Sequence, residues 1–333
     1  MNKKYLLTNS SKKNSLKHQI ETNGQFFKLS NGDRFTAIEH SDFNLLNRYQ
    51  HGENIRGVLE QRSTIGFNML RVWTAYDIVN IGTFLDIDYS RIPSFVSLCA
   101  DYGCYIEFTA YTGVNDPIHW ESLIDASLNC QIKPILELVN ELDQNTNEPD
   151  YLGRIFNLSD YQQAPASLLS CHGSNGSEHG PVGFIWIPKP TPEDPNAGEW
   201  FAEDVWSYAT FHTNDASEWW RKVGHNAMEL WSGPTLANEN TRFDHDPNII
   251  HAHDAAKGAA LLCAGSDCHT QAGKQSILLT GDELAWAIEW VKGAKEVNLE
   301  CQQGPYTRHP PGDLLRLYER PVSGHYCIVE IRK

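Results

Sequence analysis

Along this chain apolar residues recur in short consecutive blocks, each preceded by a longer stretch of mixed polarity. Asn54 to Thr64 leads into Gly66-Phe-Asn-Met-Leu-Arg-Val-Trp73. Ile92 to Tyr102 leads into Gly103-Cys-Tyr-Ile-Glu-Phe-Thr-Ala110, and Pro117 to Gln131 leads into Ile135-Leu-Glu-Leu-Val139. Blocks of this length with apolar side chains at neighbouring positions fit strands covered on both faces, and the stretches between them fit helices. Pro117 is at home in a first helical turn, where its missing N–H has no partner to lose. Helices alternating with strands require parallel pairing through right-handed crossovers.

The same rhythm, less regular, predicts a fifth strand at Ser167–Cys171, a sixth at Ser207–His212, a seventh at Pro234–Glu239 and an eighth at Cys263–Asp267. Helices are expected over Ser217–Trp231, Pro247–Leu262 and Asp282–Val291. Ahead of these units, Gln25–Leu29 and Arg34–Glu39 flank Ser30-Asn-Gly-Asp33, a hairpin turn whose second arm runs into the first strand. The expected fold is an α/β (β/α)8 TIM barrel over residues 25–300. Residues 1–24 read as a polar tail. Residues 301–333 read as a C-terminal β-hairpin that joins the N-terminal one in a small accessory sheet on the barrel. Residues 172–206 break the pattern. They are rich in Gly and Pro and show no helix, so they are expected to form a loop over the barrel mouth that carries Trp186 and Trp200 towards a ligand.

Composition narrows the function. Hydrophobic content of 41% with 21% charged residues describes a folded protein, and a net charge of −15 gives no basic footprint for nucleic acid. That acidity also favours neutral ligands over polyanions. Eight Cys are scattered with no CxxC pair, as reduced core thiols would be. The N-terminal residues hold no apolar stretch of secretory type and no run approaches the length of a membrane span, so a cytoplasmic or lysis-released protein without a membrane partner is expected. Ten Trp supply flat apolar faces suited to stacking on sugar rings, although large cores use them too.

The candidate chemistry lies at the strand ends. The fourth strand stops at Asn140-Glu141 and the seventh at Asn238-Glu239, and in parallel barrels the C-terminal strand ends hold the reacting groups. An Asn-Glu pair closing the fourth strand, together with a Glu closing the seventh, resembles clan A glycoside hydrolases. The resemblance covers strand order and spacing over roughly residues 25 to 300, with only short islands of motif. It implies a retaining enzyme that needs no cofactor or metal. Glu141 would be acid/base, Glu239 nucleophile, and Asn140 the amide bonded to the sugar hydroxyl beside the reacting carbon. Arg71 matches the strand-two Arg that lies near the nucleophile in this clan, although it could instead salt-bridge Glu107 on the neighbouring strand. His212 falls where these enzymes hold a His or Tyr, or is a satisfied core histidine. His269 stands where many relatives have Trp, a departure from the pattern. Trp73, at a strand end, is the best candidate sugar platform, with Trp200 on the long loop.

The expected function is therefore hydrolysis of a β-linked neutral oligo- or polysaccharide. Two alternatives remain open. One is a carbohydrate-binding barrel without catalysis. The other is a metal-dependent barrel hydrolase using His251-Ala-His253, although residues two apart on a helix diverge by about 200° and cannot easily clasp one ion.

Overall fold

The computed structural model describes residues 15–24, 26–74, 85–110, 117–140, 170–172, 184–188, 198–202, 207–212, 234–239 and 242–301. Three short strands, β1 (Ile20–Asn23), β2 (Phe26–Leu29) and β3 (Arg34–Phe35), form an antiparallel sheet. The expected hairpin is present, but the expected tail ends early: Ile20–Asn23 pairs with Phe26–Leu29 and carries Ile20 into the core.

The main sheet is built from β4 (Ala37–Ser41), β5 (Met69–Trp73), β6 (Tyr105–Thr109), β7 (Ile135–Val139), β8 (Ser170–His172), β11 (Ala209–His212), β12 (Thr235–Glu239) and β13 (Gly265–Cys268). Every neighbouring pair is parallel, in the order β11-β12-β13-β4-β5-β6-β7-β8. The eight predicted strands are all found, shifted by up to three residues at their ends. The sheet curls until its outer strands, β8 and β11, approach within 8 Å between Cα atoms. Among the described residues no ladder joins these two edges.

Helices α1 (Leu45–Gln50), α2 (Arg56–Ile65), α3 (Ile92–Asp101), α4 (Pro117–Leu128), α5 (Ile249–Leu262), α6 (Gln271–Lys274) and α7 (Gly281–Cys301) connect and cover the strands. Helix α2 ends as its sequence dictates. Gly66 takes φ +113°, and its N–H closes on the Arg62 carbonyl, which turns the chain into β5. Helix α7 outlasts the stretch expected for it, running on from Val291 to Cys301. Trp286 and Trp290 are fully buried on it, and burial of such a side chain is worth about 1.5–3 kcal/mol.

Two regions depart from the sequence reading. Within the expected loop of residues 172–206 lie β9 (Phe184–Pro188) and β10 (Gly198–Ala202), an antiparallel pair whose backbone register matches Trp186 with Trp200. The expected helix at 217–231 and the C-terminal hairpin lie outside the described residues.

The interior of the curl is layered. At the N-terminal strand ends Ala37, Met69, Tyr105, Ile135 and Leu236 meet Ile20, Phe27 and Phe35 of the small sheet, which closes that end with apolar side chains. One step along each strand the inward side chains become polar: Glu39, Arg71, Glu107, Glu137, Asn238 and Asp267, every one fully buried. Gly265 lets β13 and β4 come together. It adopts φ +154°, and a Cβ there would collide with the backbone of Ala37. Outside the sheet Arg62 forms a two-pronged ion pair with Asp42 at 3.0 Å on each arm, and His40 Nδ1 lies 2.9 Å from the same carboxylate. All three are fully buried, which ties α2 to the end of β4.

Candidate active site

Arg71 occupies the centre of the C-terminal end of the curl. Its strand carries it inward between β4 and β6, and every guanidinium N–H has an acceptor. Nε donates to Thr109 Oγ1 at 3.0 Å and Glu137 Oε2 at 3.1 Å. Nη2 donates to Glu137 Oε2 at 2.7 Å and to the Asn140 amide oxygen at 2.6 Å. Nη1 reaches the Asn238 carbonyl at 3.2 Å and Glu239 Oε2 at 3.3 Å. Glu107 lies at 4.0 Å from Nε, so both expected partners of Arg71, the strand-seven carboxylate and Glu107, are present around it. The surrounding carboxylates hold the guanidinium charged despite its burial.

Glu239 closes β12, and its carboxylate is the part of this cluster that reaches solvent, with 11% of the side chain exposed. A second cation flanks it: Arg242 Nη1 lies 3.7 Å from Oε1, on the side away from Arg71, and is itself steered by Asp244 at 3.2 Å. Two guanidiniums favour the ionised carboxylate. His269 Nδ1 stands 3.4 Å from Oε1. Burial pushes the imidazole down to about 3, against the pull of Glu239, so it is neutral at ordinary pH. Neither ring nitrogen has a hydrogen bond among the described residues, which leaves one donor and one acceptor beside Glu239.

Phe43 supplies the apolar wall. Its ring packs 4.6 Å from that of Trp73, 5.2 Å edge-on from His269, and 5.4 Å from the Arg71 guanidinium. Trp73 is 5% exposed, with one face of its indole covered by Phe43.

Of the residues singled out by sequence, Asn140, Arg71, Trp73, Glu239 and His269 therefore come together. His212 ends β11 in register with Glu239, and Trp200 sits on β10, away from the main sheet's ladder. Glu141, the residue after Asn140, lies outside the described residues. His251 and His253 do not converge: His251 pairs with Asp246 at 2.7 Å, His253 with Glu296 at 3.0 Å. Among the described residues no group of three ligating side chains could hold a metal ion.

Of the carboxylates beneath the site, sequence reasoning named Glu107 alone and missed Glu137, Glu39 and Asp267. Glu137 accepts from Thr109 at 2.6 Å, Asn238 at 2.9 Å and Thr210 at 3.0 Å, besides Arg71. Glu107 accepts from Tyr208 at 2.7 Å and Asn238 at 3.3 Å. Burial, and then the charge of Glu137, push Glu107 up to about 7. Glu39 is raised well above the carboxylate range by burial, then by Glu107 and Asp267. As an ionised group it has no donor in reach among the described residues; protonated, it hydrogen-bonds Glu107. Asp267, bonded by Ser41, is raised chiefly by burial. One arginine cannot balance so many carboxylates, so this layer stores protons.

No family profile and no curated protein matches the sequence. Solved structures do match. A glycoside hydrolase family 5 protein from Bacteroides vulgatus superposes with TM-score 0.56 at 15% identity, over 86% of this chain and 72% of its own. The β-mannanase of the blue mussel Mytilus edulis gives 0.52 at 12% identity, over 83% of this chain and 96% of its own. The β-1,4-D-mannanase of Cryptopygus antarcticus gives 0.52 at 13%, over 83% and 95%. At these identities the likeness is one of fold, shared with a family 5 glycoside hydrolase and two β-mannanases.

Proposed function

We propose that this chain is a retaining glycoside hydrolase, working on a closed (β/α)8 barrel and cleaving a β-linked neutral oligo- or polysaccharide. The observation that carries the reading is the Arg71 guanidinium joining Asn140, at the end of the fourth strand, to Glu239, at the end of the seventh. Glu239 is the nucleophile: ionised between Arg71 and Arg242 and open to solvent, it attacks the anomeric carbon. Glu141 is the acid/base. It protonates the leaving oxygen and, in the second step, takes a proton from the water that releases the sugar. Retention requires the two carboxyl groups to stand ~5–5.5 Å apart. Asn140, held by Arg71, bonds the hydroxyl next to the reacting carbon, and neutral His269 offers an N–H or a lone pair to the sugar. No metal or other cofactor takes part in this scheme.

Two of the similar structures are named as β-mannanases, which puts β-mannans first among substrates to try. The test is a screen of β-mannans, β-glucans and chromogenic β-glycosides, with the anomer of the first product read by NMR. Release of the β-anomer supports the scheme. Inversion overturns it, and binding of the glycan without turnover would make the chain a carbohydrate-binding barrel instead.

A further inference from the structure

Glu137 lies in the middle of β7, pointing into the curl beneath the proposed catalytic groups, and nothing in the two-carboxylate scheme uses it. Its carboxylate is saturated. Oε2 accepts from both Nη2 and Nε of Arg71 and from Thr109, and Oε1 accepts from Asn238 and Thr210. These donors come from the second, third, sixth and seventh strands, so one side chain of the fourth strand ties together walls that face each other across the interior. With Glu137 on one side, the Arg71 guanidinium turns its outward N–H bonds to Asn140, Glu239 and the Asn238 carbonyl.

We propose that Glu137 is a positioning residue for the glycosidase reaction: it fixes the orientation of Arg71 and shares its charge, and thereby sets where Asn140 and Glu239 stand relative to each other. The proposal rests on the reading of Glu239 as the nucleophile. The physical case is that a guanidinium is a planar fork whose direction is fixed by two bonds to one acceptor. A neutral Gln keeps one acceptor oxygen but sets an NH2 against the donors on the other side, Asn238 and Thr210, so the fork loosens and both groups it holds move with it. The charge matters as well. Glu137 draws off part of the positive potential that Glu239 receives from Arg71. Among the described residues, the other charged or titratable groups around this cluster are Glu107, Asp267, Glu39 and Tyr208 from below and Arg242, His269 and Lys274 from the mouth.

The test is steady-state kinetics of Glu137→Gln beside the unmutated chain and Glu239→Ala, on whichever β-glycoside is turned over, with folding checked by circular dichroism. For Glu137→Gln, kcat is expected to fall ~100-fold, as for a reacting group displaced by about 1 Å, with KM changed far less. The acid limb of the pH–rate profile should move to lower pH, because Glu239 then faces the whole charge of Arg71. A purely structural role would leave that limb in place. A folded Glu137→Gln enzyme with unchanged kcat and unchanged limb overturns the proposal. Should this variant not fold, Thr210→Val decides. It removes one tie to Glu137 and keeps the charge, and kcat is expected to drop roughly 5-fold, the equivalent of one hydrogen bond; an unchanged kcat makes Glu137 a structural group only. If the unmutated chain turns over nothing, or Glu239→Ala retains its rate, it is the nucleophile assignment that fails.

Discussion

Buried carboxyl groups that hold protons make stability fall as the solution becomes more alkaline, and Glu107 allows the size of that fall to be worked out. An ordinary glutamate carboxyl loses its proton near 4.5, whereas Glu107 in the folded chain keeps it to about 7. Between these values the folded state binds more protons than the unfolded one. The stabilising contribution is therefore fully present below pH 4.5 and is lost as pH rises towards 7. A gap of roughly 2.5 pH units at ~1.36 kcal/mol each amounts to about 3 kcal/mol. Glu39 and Asp267, raised well above the carboxylate range by the same burial, add to the decline. His40, held down to about 4, and His269, held down to about 3, act the other way, but their contribution is complete by about pH 6.5. Above that pH nothing in this set offsets the loss. The perturbation is Glu107→Gln, which keeps an acceptor for Tyr208 and gives Glu39 an N–H donor, so that an ionised Glu39 is no longer unbonded. The assay is urea unfolding at intervals from pH 5 to 9. As pH rises from 5 to 7 the unmutated chain should lose more stability than the variant, by an amount on the order of 3 kcal/mol. Parallel curves, or stability rising between pH 6.5 and 8.5, would refute the picture of a proton-storing layer.

Further outcomes are expected for four single substitutions and one double. Glu239→Gln should reduce kcat by at least ~1000-fold while glycan affinity measured by calorimetry is retained, and Glu141→Gln should cost ~100- to 10,000-fold on substrates with poor leaving groups. Arg62→Met should destabilise the fold by about 3–5 kcal/mol in denaturant titration, since it leaves the Asp42 carboxylate buried without its arginine; the double variant with Asp42→Asn should recover a good part of that. His269→Gln should lower turnover without deleting any ionisation near pH 6.5 from the pH–rate profile, because the imidazole is already neutral there.

The alternation of helix and strand was legible because strands buried on both faces leave dense apolar blocks, and the second, third and fourth blocks each began after a helix of sufficient length. The outward face of the site was legible too: Asn140, Glu239 and His269 sit where a strand stops, and a polar residue at that place is conspicuous. The inward layer was harder. Glu137 stands among Ile135, Leu136, Leu138 and Val139, and a reading based on apolar density passes over the one charged position in such a block. Glu39, Glu107, Glu137 and Asp267 come from four different strands, so no spacing in the chain connects them; only the curl does. The β9–β10 pair was hidden for another reason. Gly and Pro surround it, and a stretch so rich in them reads as loop. The early strand Ile20–Asn23 lacks its own apolar pattern and is ordered by pairing with Phe26–Leu29.

That early strand has a practical consequence for anyone shortening the protein. The opening residues look dispensable, and a cut just before Phe26 would be the natural choice for expression. It would remove Ile20 and unzip the edge that holds Phe27 in place, opening the underside of the curled sheet to water. A cut ahead of Leu16, whose N–H is bonded to the Ala100 carbonyl, respects the seal.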